Sequence, residues 1–330
     1  MNVLLTGGAG YIGAHVTRAL KKAGHECIVY DNLCKGHPES TGDTRLVAAD
    51  VRNSKKLAKT MKKFRIEAVI NLAAFIEAGE SVTDPEKYYR NNTILGFSLL
   101  NTMRDCGVKK LVFSSTAAVY GIPERVPIEE TDRLAPINPY GASKLCVEYM
   151  MQSYAAAYGL GCVSLRYFNV AGADPRGDIG EDHCPESHLI PLTLQVAMGK
   201  RENICIFGDD YDTPDGTCIR DYIHVCDLAS AHVLAMAAAK EGAVKVYNLG
   251  DGNGFSVREV LETCRKVTGH SIPAEVSARR AGDPPRLIAS SRKAMKELGW
   301  KPSGSQLDNI IADAWRWQST HPDGYGSRSV

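Results

Sequence analysis

The fold is decided by NVLLTGGAGYIGAHVTRAL, residues 2–20, which joins a predicted strand to a predicted helix through glycines. Residues 2–6 predict a buried strand, and a helical pattern follows the glycines. Gly7, Gly10 and Gly13 are spaced G-x-x-G-x-x-G instead of the usual G-x-G-x-x-G. Glycines let the backbone turn tightly and approach a pyrophosphate, which then meets the N–H groups and the positive end of the helix. The stretch therefore predicts a dinucleotide-binding loop, with a plain tight turn as the alternative.

An acidic residue follows the second predicted strand. Asp31 and Asn32 stand at the spacing where a carboxylate binds the adenosine ribose. A carboxylate accepts a hydrogen bond from a 2′-hydroxyl but repels a 2′-phosphate, so NAD is favoured over NADP as the cofactor. Polar or small residues also follow later strands, at residues 50–51, 71–74 and 114–116. Because ligands bind at the carboxyl ends of strands in open α/β sheets, these positions together predict a dinucleotide site.

Strand and helix patterns alternate through the first half of the chain. Strands are predicted at residues 2–6, 26–30, 45–49, 67–72, 110–115 and 162–167, and helices at 12–23, 54–63, 85–105 and 139–158. This alternation, with continuous apolar strands, predicts an α/β fold: a Rossmann-type doubly wound parallel sheet covered by helices on both faces.

The pattern changes after about residue 170. AGADPRGDIGEDHCPESH, residues 171–188, predicts an irregular loop. Beyond it we predict helices at 189–199, 226–239, 256–268, 290–298 and 304–317, and strands at 204–207 and 245–249. Since one core rarely serves a chain this long, we predict two domains. Residues 1–170 would bind NAD, with parts of about 223–250 returning to them, and residues 171–330 would form a second, smaller mixed α/β substrate domain.

Composition excludes several classes of function. The chain has 330 residues and a formal net charge of +1, so it lacks the basic surface of a nucleic-acid binder. No apolar stretch approaches the length of a membrane span, and the N-terminus lacks a basic region followed by a cleavage site. Ten cysteines without a C-x-x-C pair predict reduced thiols in a cytoplasmic protein. Nine histidines show no H-E-x-x-H or other metal-binding spacing, so no metal site is predicted.

NPYGASKLCVE, residues 138–148, predicts a helix that begins with two polar side chains on one face. Asn138 is suited to cap the helix with its side-chain oxygen, and Pro139 suits the first helical position. Tyr140 and Lys144 are four residues apart and therefore neighbours on the helix surface. By itself the pattern is explained as well by a surface tyrosine beside a solvated ammonium.

Together, these motifs resemble the extended short-chain dehydrogenase/reductase family. The resemblance rests on the glycine loop at 7–13, Asp31-Asn32-Leu33, Thr116, Tyr140-x-x-x-Lys144 and LRYFN at 165–169. Within that family, FGDDYDTPDGTCIRDYIHVCDLA (207–229), GES (79–81) and RRAGDPP (279–285) resemble the UDP-glucose 4-epimerases. The Tyr-Lys pair is typical of the whole superfamily, whereas the DGT-x-x-RDYIHV block is much more specific. The similarity extends over nearly the whole chain.

The resemblance implies an NAD-dependent isomerase that interconverts UDP-galactose and UDP-glucose. Tyr140 would take the proton of the sugar 4-hydroxyl while a hydride passes to NAD, and the 4-keto sugar would turn before the hydride returns to its other face. Thr116 would orient the hydroxyl. Lys144, helped by the positive nicotinamide ring, would lower the pKa of Tyr140, and it would also bind the nicotinamide ribose. Ionising a tyrosine near pH 7 requires roughly 4 kcal/mol, and an ammonium at about 4 Å supplies about 4 kcal/mol at an effective dielectric near 20.

The resemblance also implies two sets of binding residues. The cofactor set comprises Gly7, Gly10, Tyr11, Ile12, Gly13, Asp31, Asn32, Leu33, Cys34, Lys35, Gly36, Asp50, Val51, Leu72, Ala73, Ala74, Asn91, Ser114, Tyr140, Lys144 and Phe168. The substrate set, for a UDP-hexose, comprises Thr116, Tyr140, Asn169, His188, Leu189, Cys205, Ile206, Phe207, Arg220, Tyr222, Val257, Arg280, Asp283 and Leu287. Arg220 and Arg280 suit a diphosphate, because a guanidinium binds phosphate oxygens bidentately.

Four positions depart from well-known members of the family. Thr116 stands where many have Ser, Ile76 where others have Lys, and His188 where others have Asn. Leu287 matches a position that is Tyr in some glucose-specific members and smaller in members that accept N-acetylated sugars. We therefore predict that UDP-N-acetylglucosamine is also accepted.

Three alternative functions remain open at this point. A nucleotide-sugar 4,6-dehydratase needs an extra acid and base beside the threonine, but Ala117 and Ala118 follow Thr116. Another sugar-nucleotide-modifying enzyme of the extended family is the second alternative. A non-catalytic NAD-sensing protein has no need of the complete Thr-Tyr-Lys set. The resemblance also implies a homodimer joined through the predicted helices 85–105 and 139–158.

Overall fold

The computed structural model describes residues 1–280 and 283–326. Its strands are β1 Asn2–Thr6, β2 Glu26–Asp31, β3 Arg45–Ala48, β4 Ala68–Asn71, β5 Lys110–Thr116, β6 Gly161–Tyr167, β7 Asn169–Ala171, β8 Ile204–Phe207, β9 Ile219–Arg220, β10 Tyr222–His224, β11 Val244–Leu249, β12 Phe255–Ser256, β13 Ala274–Ser277 and β14 Arg286–Leu287. Its α-helices are α1 Tyr11–Lys22, α2 Ser54–Lys63, α3 Ala78–Thr83, α4 Pro85–Tyr88, α5 Ile94–Cys106, α6 Pro139–Tyr158, α7 Leu189–Ala197, α8 Val225–Ala238, α9 Val257–Thr268, α10 Arg292–Leu298 and α11 Leu307–Thr320.

The main sheet has seven strands in the order β11-β6-β5-β4-β1-β2-β3, and each neighbouring pair is parallel. The predicted Rossmann-type doubly wound sheet is confirmed. The strand order reverses between β1 and β4, which is where ligands bind in such sheets. The two strand ends are linked there by a hydrogen bond of 2.6 Å from the Thr6 hydroxyl to the Asn71 side chain.

Each face of this sheet carries its own apolar core. Buried residues of α1 and α8, such as Val16, Leu20 and Leu228, pack on one face. Residues of α2, α5 and α6, such as Leu57 and Leu99, pack on the other. The strands are buried on both sides, which explains why they are continuously apolar in the sequence instead of alternating.

The remaining elements form smaller sheets around a third core. Strand β8 pairs with β13, β10 with β7, and β9 lies between β12 and β14. Buried residues of α7, α9 and α11 pack together, with Leu194, Cys264 and Ile310 at the centre. Strand β11 belongs to the main sheet instead, where it pairs with β6. The last four residues of the predicted second domain, 327–330, lie outside the described residues.

The predicted helix at residues 85–105 is wrong as a single α-helix. A π-helical turn, Tyr89–Thr93, separates α4 from α5. A π turn keeps the overall helical direction, so the hydrophobic pattern does not reveal it, and such turns are frequent at functional sites. Among the described residues, no helix is long and apolar enough to cross a membrane.

Candidate active site

The glycine loop between β1 and α1 is packed too tightly for larger residues. A Cβ on Gly13 would lie 2.3 Å from the Gly7 carbonyl oxygen, and one on Gly7 would lie 2.5 Å from the Ala73 amide nitrogen. Gly7 also has a φ of +74°, which favours glycine. No side chain among the described residues caps α1 at Gly10. The N–H groups of the first turn are therefore suited to a pyrophosphate, and this cradle fits NAD.

Asp31 lies at the end of β2, next to the same loop. Its carboxylate is buried and accepts backbone hydrogen bonds from Ala9 at 3.0 Å and from Leu33 at 2.8 Å. Burial raises the pKa of Asp31, and these two bonds oppose the increase. Each carboxylate oxygen retains a lone pair, so Asp31 can still accept bonds from ribose hydroxyls.

The other predicted cofactor residues surround this edge of the sheet. The Tyr11 hydroxyl donates to the Gly172 carbonyl at 2.6 Å, and Ile12 packs on the core. Leu72, Ala73 and Ala74 follow β4 half-buried, Asn91 lies in the π turn, Ser114 lies in β5, and Phe168 follows β6. Asn32 and Cys34 are exposed, and a Cβ on Gly36 would touch Ala9 at 3.0 Å.

Asp50 and Lys35 already have partners within the chain. Arg52 binds the Asp50 carboxylate at 2.6 and 2.9 Å and, chiefly through this hydrogen bonding, lowers its pKa to about 2. The Lys35 ammonium lies 3.3 Å from Glu77 and donates to the Cys184 carbonyl at 3.2 Å. These contacts hold the loops after β2 and β3 at the rim of the site.

The predicted catalytic residues come from the end of β5 and the start of α6. Helix α6 begins as predicted: Asn138 caps it by accepting from the Gly141 amide at 2.8 Å, with Pro139 in the first turn. The buried Lys144 ammonium donates to the Ser114 carbonyl of β5 at 2.8 Å. A hydrogen bond joins the side chains of Thr116 and Tyr140. The structure therefore brings Thr116, Tyr140 and Lys144 to one edge of the sheet.

Burial dominates the protonation of the two titratable groups. It lowers the pKa of Lys144 to about 7 and raises that of Tyr140, although the hydrogen bond with Thr116 opposes the latter effect. Desolvation disfavours the charged form of each residue, so among the described groups of the protein burial outweighs the stabilisation of the Tyr140 phenolate. That Lys144, helped by the nicotinamide ring, lowers the pKa of Tyr140 stays a prediction.

Two residues that sequence reasoning missed hold the catalytic helix in place. The buried Asn92, in the π turn, donates to Ser143 of α6 at 3.1 Å and to the Phe75 carbonyl at 3.0 Å, and it accepts from the Phe75 amide at 2.9 Å. Ser143 in turn donates to the Tyr140 carbonyl at 2.7 Å. No short motif marks an asparagine in a helix as a link of this kind.

Glu77 is a third residue that the sequence analysis did not single out. Its carboxylate accepts from the Tyr88 hydroxyl at 3.2 Å, and the Tyr88 ring lies edge-on to that of Tyr140, 6.5 Å between centroids. The negative charge of Glu77 raises the pKa of both Tyr140 and His188. It is therefore an acidic group between the catalytic helix and the predicted nucleotide site. The only sequence signal was its position just before the GES motif.

The predicted diphosphate anchors lie on β9 and in the loop after β13, and Asp283 contacts both of them. Arg220 of β9 forms an ion pair with Asp283 at 2.5 Å and donates to the Ile219 carbonyl at 2.8 Å. The Arg280 guanidinium stacks over the Phe207 ring, 4.0 Å from its centroid. Contacts within the protein thus hold both guanidiniums in place without a bound phosphate.

Leu287 and Asn169 connect these anchors to the catalytic edge. Leu287 of β14 pairs with Arg220 and packs against the cluster that contains Ala117 and Phe168. Asn169 begins β7, is exposed, and pairs with β10. Cys205 lies in β8, and Val257 begins α9.

Three predicted binding residues have their side chains in the cores. Val51 packs with Leu57 beneath the main sheet, whereas Ile206 and Tyr222 lie in the third core. The side chains of these residues are therefore turned away from a ligand, and any contact with one would involve their main chain. A sequence motif does not distinguish residues that are apolar because they pack in a core from residues that bind a ligand.

His188 and Leu189 begin α7, and His188 belongs to a cluster of four charged or titratable side chains. Glu181, His183, Glu186 and His188 place one potential ligand atom each within 4.8 Å of one another. Burial lowers the pKa of His188, but Glu181 outweighs this and raises it to about 9. No H-E-x-x-H or other familiar metal-binding spacing marks these residues in the sequence. The structure brings these residues together from the spacing E-x-H-x-x-E-x-H in an irregular loop.

Comparison with known proteins identifies relatives along the entire chain. Residues 3–250 match the NAD dependent epimerase/dehydratase family. A UDP-glucose 4-epimerase of Halalkalibacterium halodurans is 53% identical over 100% of this chain and 99% of its own length. The crystal structure of a UDP-glucose 4-epimerase from Brucella ovis in complex with NAD matches with a TM-score of 0.92 at 48% identity, covering 95% of this chain and 97% of that one. That of a UDP-Glc/GlcNAc 4-epimerase from Campylobacter jejuni matches with a TM-score of 0.84 at 42% identity, covering 97% and 99%.

The glycine cradle yields a direct prediction. In Gly13→Ala, the new Cβ would clash with the backbone of Gly7 and Gly8. We expect the purified variant to retain less than a tenth of the parent's NAD, since a loss of about 1.4 kcal/mol weakens binding tenfold. NAD released on denaturation is measured by absorbance. Gly79→Ala is the matched control because its Cβ would meet open space. Equal NAD content in the two variants would show that the loop does not bind the cofactor.

Proposed function

The chain belongs to the NAD-dependent epimerase/dehydratase family and, within it, to the UDP-glucose 4-epimerases, and we propose that it interconverts UDP-galactose and UDP-glucose with bound NAD. The observation that carries the proposal is the meeting of Thr116, Tyr140 and buried Lys144 at the edge of the sheet where the glycine loop lies. An acid–base pair beside a dinucleotide cradle suits reversible removal of a hydride and a proton from a secondary alcohol.

The cofactor is held by residues of the main sheet. The glycine loop and the first turn of α1 bind the pyrophosphate, and Asp31 accepts from the adenosine ribose. Lys144 binds the nicotinamide ribose. When bound, NAD accepts the hydride from C4 of the sugar, returns it, and brings a positively charged ring. We propose that residues 1–170, with 223–250, form this binding domain and that residues 171–330 bind the sugar nucleotide, since α7, α9 and α11 pack around a core that includes no residue of the main sheet.

Tyr140 takes the proton of the sugar 4-hydroxyl and later returns it. About 4 kcal/mol separate the ordinary pKa of tyrosine from neutral pH, and burial increases this difference. One ammonium offers about 4 kcal/mol, so Lys144 does not suffice without further positive charge. Thr116 lowers the pKa of Tyr140 through its hydrogen bond and orients the sugar hydroxyl.

The sugar nucleotide is held by groups away from the reacting carbon. Arg220 and Arg280 bind the diphosphate, Asn169 and Leu287 border the sugar, and His188 and Leu189 contact the nucleotide. Anchoring at the diphosphate leaves the 4-keto sugar free to turn between the two hydride transfers. A dehydratase is disfavoured, because Ala117 and Ala118 provide no acid or base next to Thr116.

The assembly and its compartment are a further part of the proposal. Ile94 and Phe97 of α5 and Tyr149 of α6 are large apolar side chains that remain about half exposed. A pair of helices with such an outward face is suited to pack against a second copy, so we propose a homodimer through α5 and α6. All ten cysteines are unpaired, which fits a reducing cytoplasm.

Turnover of UDP-galactose without added NAD tests the reaction. Tyr140→Phe should lose UDP-glucose formation while retaining NAD, whereas an NAD-sensing protein would respond to its ligand as before. Thr116→Val should lower kcat by ~100-fold, the usual scale of general acid–base catalysis. It should also move the acidic limb of the pH–rate profile to higher pH, because the variant lacks the hydrogen bond that lowers the pKa of Tyr140 in the parent. Thr116→Ser should behave like the parent. An unchanged profile in Thr116→Val would exclude the assigned role.

Substrate breadth is tested at Leu287. We expect UDP-N-acetylglucosamine to be epimerised, because leucine leaves more room than tyrosine beside the sugar. Leu287→Tyr should lower kcat/KM for the N-acetylated substrate at least tenfold and leave that for UDP-galactose within threefold, about 1.4 and 0.7 kcal/mol. If the parent turns over UDP-galactose but not UDP-N-acetylglucosamine, the assignment of Leu287 is wrong.

The dimer is tested by light scattering after size-exclusion chromatography. Phe97→Glu places a charge on the proposed interface and should convert the dimer into monomers. Val276→Glu changes an equally exposed residue on β13 and should leave the dimer intact. A monomeric parent, or a dimeric Phe97→Glu, would contradict the proposed interface.

A further inference from the structure

The irregular segment between β7 and α7 contains a cluster of which the proposed reaction uses only His188, as a nucleotide contact. Glu181, His183, Glu186 and His188 face one point from consecutive turns of this segment. The Nδ1 atoms of His183 and His188 lie 3.1 and 2.5 Å from one oxygen of Glu181. The same atoms lie 3.9 and 3.8 Å from the oxygens of Glu186.

Both carboxylates of the cluster are buried without a permanent cation. The side chains of Glu181 and Glu186 are 4% and 6% exposed. Among the described residues, their ion pairs involve only His183 and His188, and no lysine or arginine joins them. Glu186 also accepts backbone hydrogen bonds from Ser187 at 2.7 Å and from His188 at 2.9 Å. Two neighbouring carboxylates removed from water in this way still favour a compensating positive charge.

An unpartnered polar atom belongs to the cavity that three of these four residues line. The Oε1 atom of Gln318, on α11, has no hydrogen-bond partner in the described structure, and the residue is only 8% exposed. Gln318 lines the same cavity as Glu181, His183 and Glu186. A buried carbonyl oxygen of this kind is suited to accept a hydrogen bond from a water molecule on a bound ion.

We propose that Glu181, His183, Glu186 and His188 form a structural binding site for a zinc ion. Two imidazole nitrogens and two carboxylate oxygens are ligands that zinc takes in tetrahedral geometry. With bonds of about 2.1 Å, tetrahedral ligand atoms lie about 3.4 Å apart. The His183–Glu181 separation of 3.1 Å is close to this value, and the separations of 3.9 and 3.8 Å, which involve the two different oxygens of Glu186, are longer. Zinc binding would therefore draw Glu186 inward and open the His188–Glu181 pair, now at 2.5 Å, by about 1 Å.

The ion fastens a loop that touches three parts of the fold. The Trp317 indole of α11 donates to the Glu181 carbonyl at 3.0 Å. The His183 ring lies edge-on to Tyr11, the first residue of α1, 6.3 Å between centroids. His188 begins α7. Zinc therefore joins the loop to the phosphate-binding helix on one side and to the proposed nucleotide pocket on the other, and this last link rests on the proposed function.

Metal content tests the site without recourse to activity. The untagged protein, purified without chelators, should contain about one zinc per chain by plasma mass spectrometry. Protein stripped with a chelator should bind added ZnCl₂ with measurable heat and unfold at a higher temperature afterwards. His183→Gln should bind zinc at least tenfold more weakly. His270→Gln alters an exposed histidine outside the cluster and should match the parent.

These measurements distinguish a bound zinc ion from two protonated histidines, which would form ion pairs with the glutamates in the same geometry. No retained zinc, together with titration heat and unfolding temperature equal to those of His183→Gln, would overturn the proposal. If His183→Gln does not fold, the titration of the stripped parent decides alone. Neither measurement includes a sugar nucleotide. The zinc proposal can therefore be refuted while the proposed epimerase activity is supported, and the epimerase activity can be refuted while the zinc site is supported.

Discussion

The burial of the Lys144 ammonium between α6 and β5 is the constraint on which the site depends. Its side chain is 2% exposed and donates to a single backbone carbonyl, that of Ser114, at 2.8 Å. Removing a charge from water this completely is unfavourable, and the pKa of Lys144 falls to about 7. The same dry environment raises the pKa of Tyr140. The protein's own groups thus leave Tyr140 protonated near neutral pH and Lys144 close to its pKa, so the proposed ionisation of Tyr140 depends on the positive charge that bound NAD brings.

The packing around α6 keeps this pair at the end of β5. Asn138 caps the helix, and a Cβ on Gly141 would lie 2.6 Å from the Ala118 carbonyl oxygen, so the helix start rests directly on the turn after Thr116. Asn92 fixes the opposite side through Ser143. The π turn that carries Asn92 interrupts a long helix and aims this side chain at α6. Helix start, strand end and π turn therefore position one acid–base set.

The sequence predicted the main sheet well, because its buried parallel strands are continuously apolar and its loop glycines have a steric reason. It also predicted the cap at Asn138 and the meeting of Tyr140 with Thr116. It did not reveal β7, β9, β10, β12 and β14, since strands of two or three residues show no periodicity. Nor did it reveal that burial opposes the ionisation of Tyr140, or that an irregular loop gathers the cluster around Glu181. Val51, Ile206 and Tyr222 show the opposite case. The sequence predicted them as binding residues, but their side chains pack in the cores.

We expect Tyr140 to be ionised by Lys144 and the nicotinamide ring once NAD is bound. The most direct measurement is an NMR titration of ring-labelled tyrosine in the NAD-loaded protein, with the Tyr140 signal assigned from its loss in Tyr140→Phe. The account predicts that the pKa of Tyr140 lies below the ordinary tyrosine value of about 10, and that Lys144→Met raises it. A pKa at or above that value in the parent, or one that Lys144→Met leaves unchanged, would contradict the account.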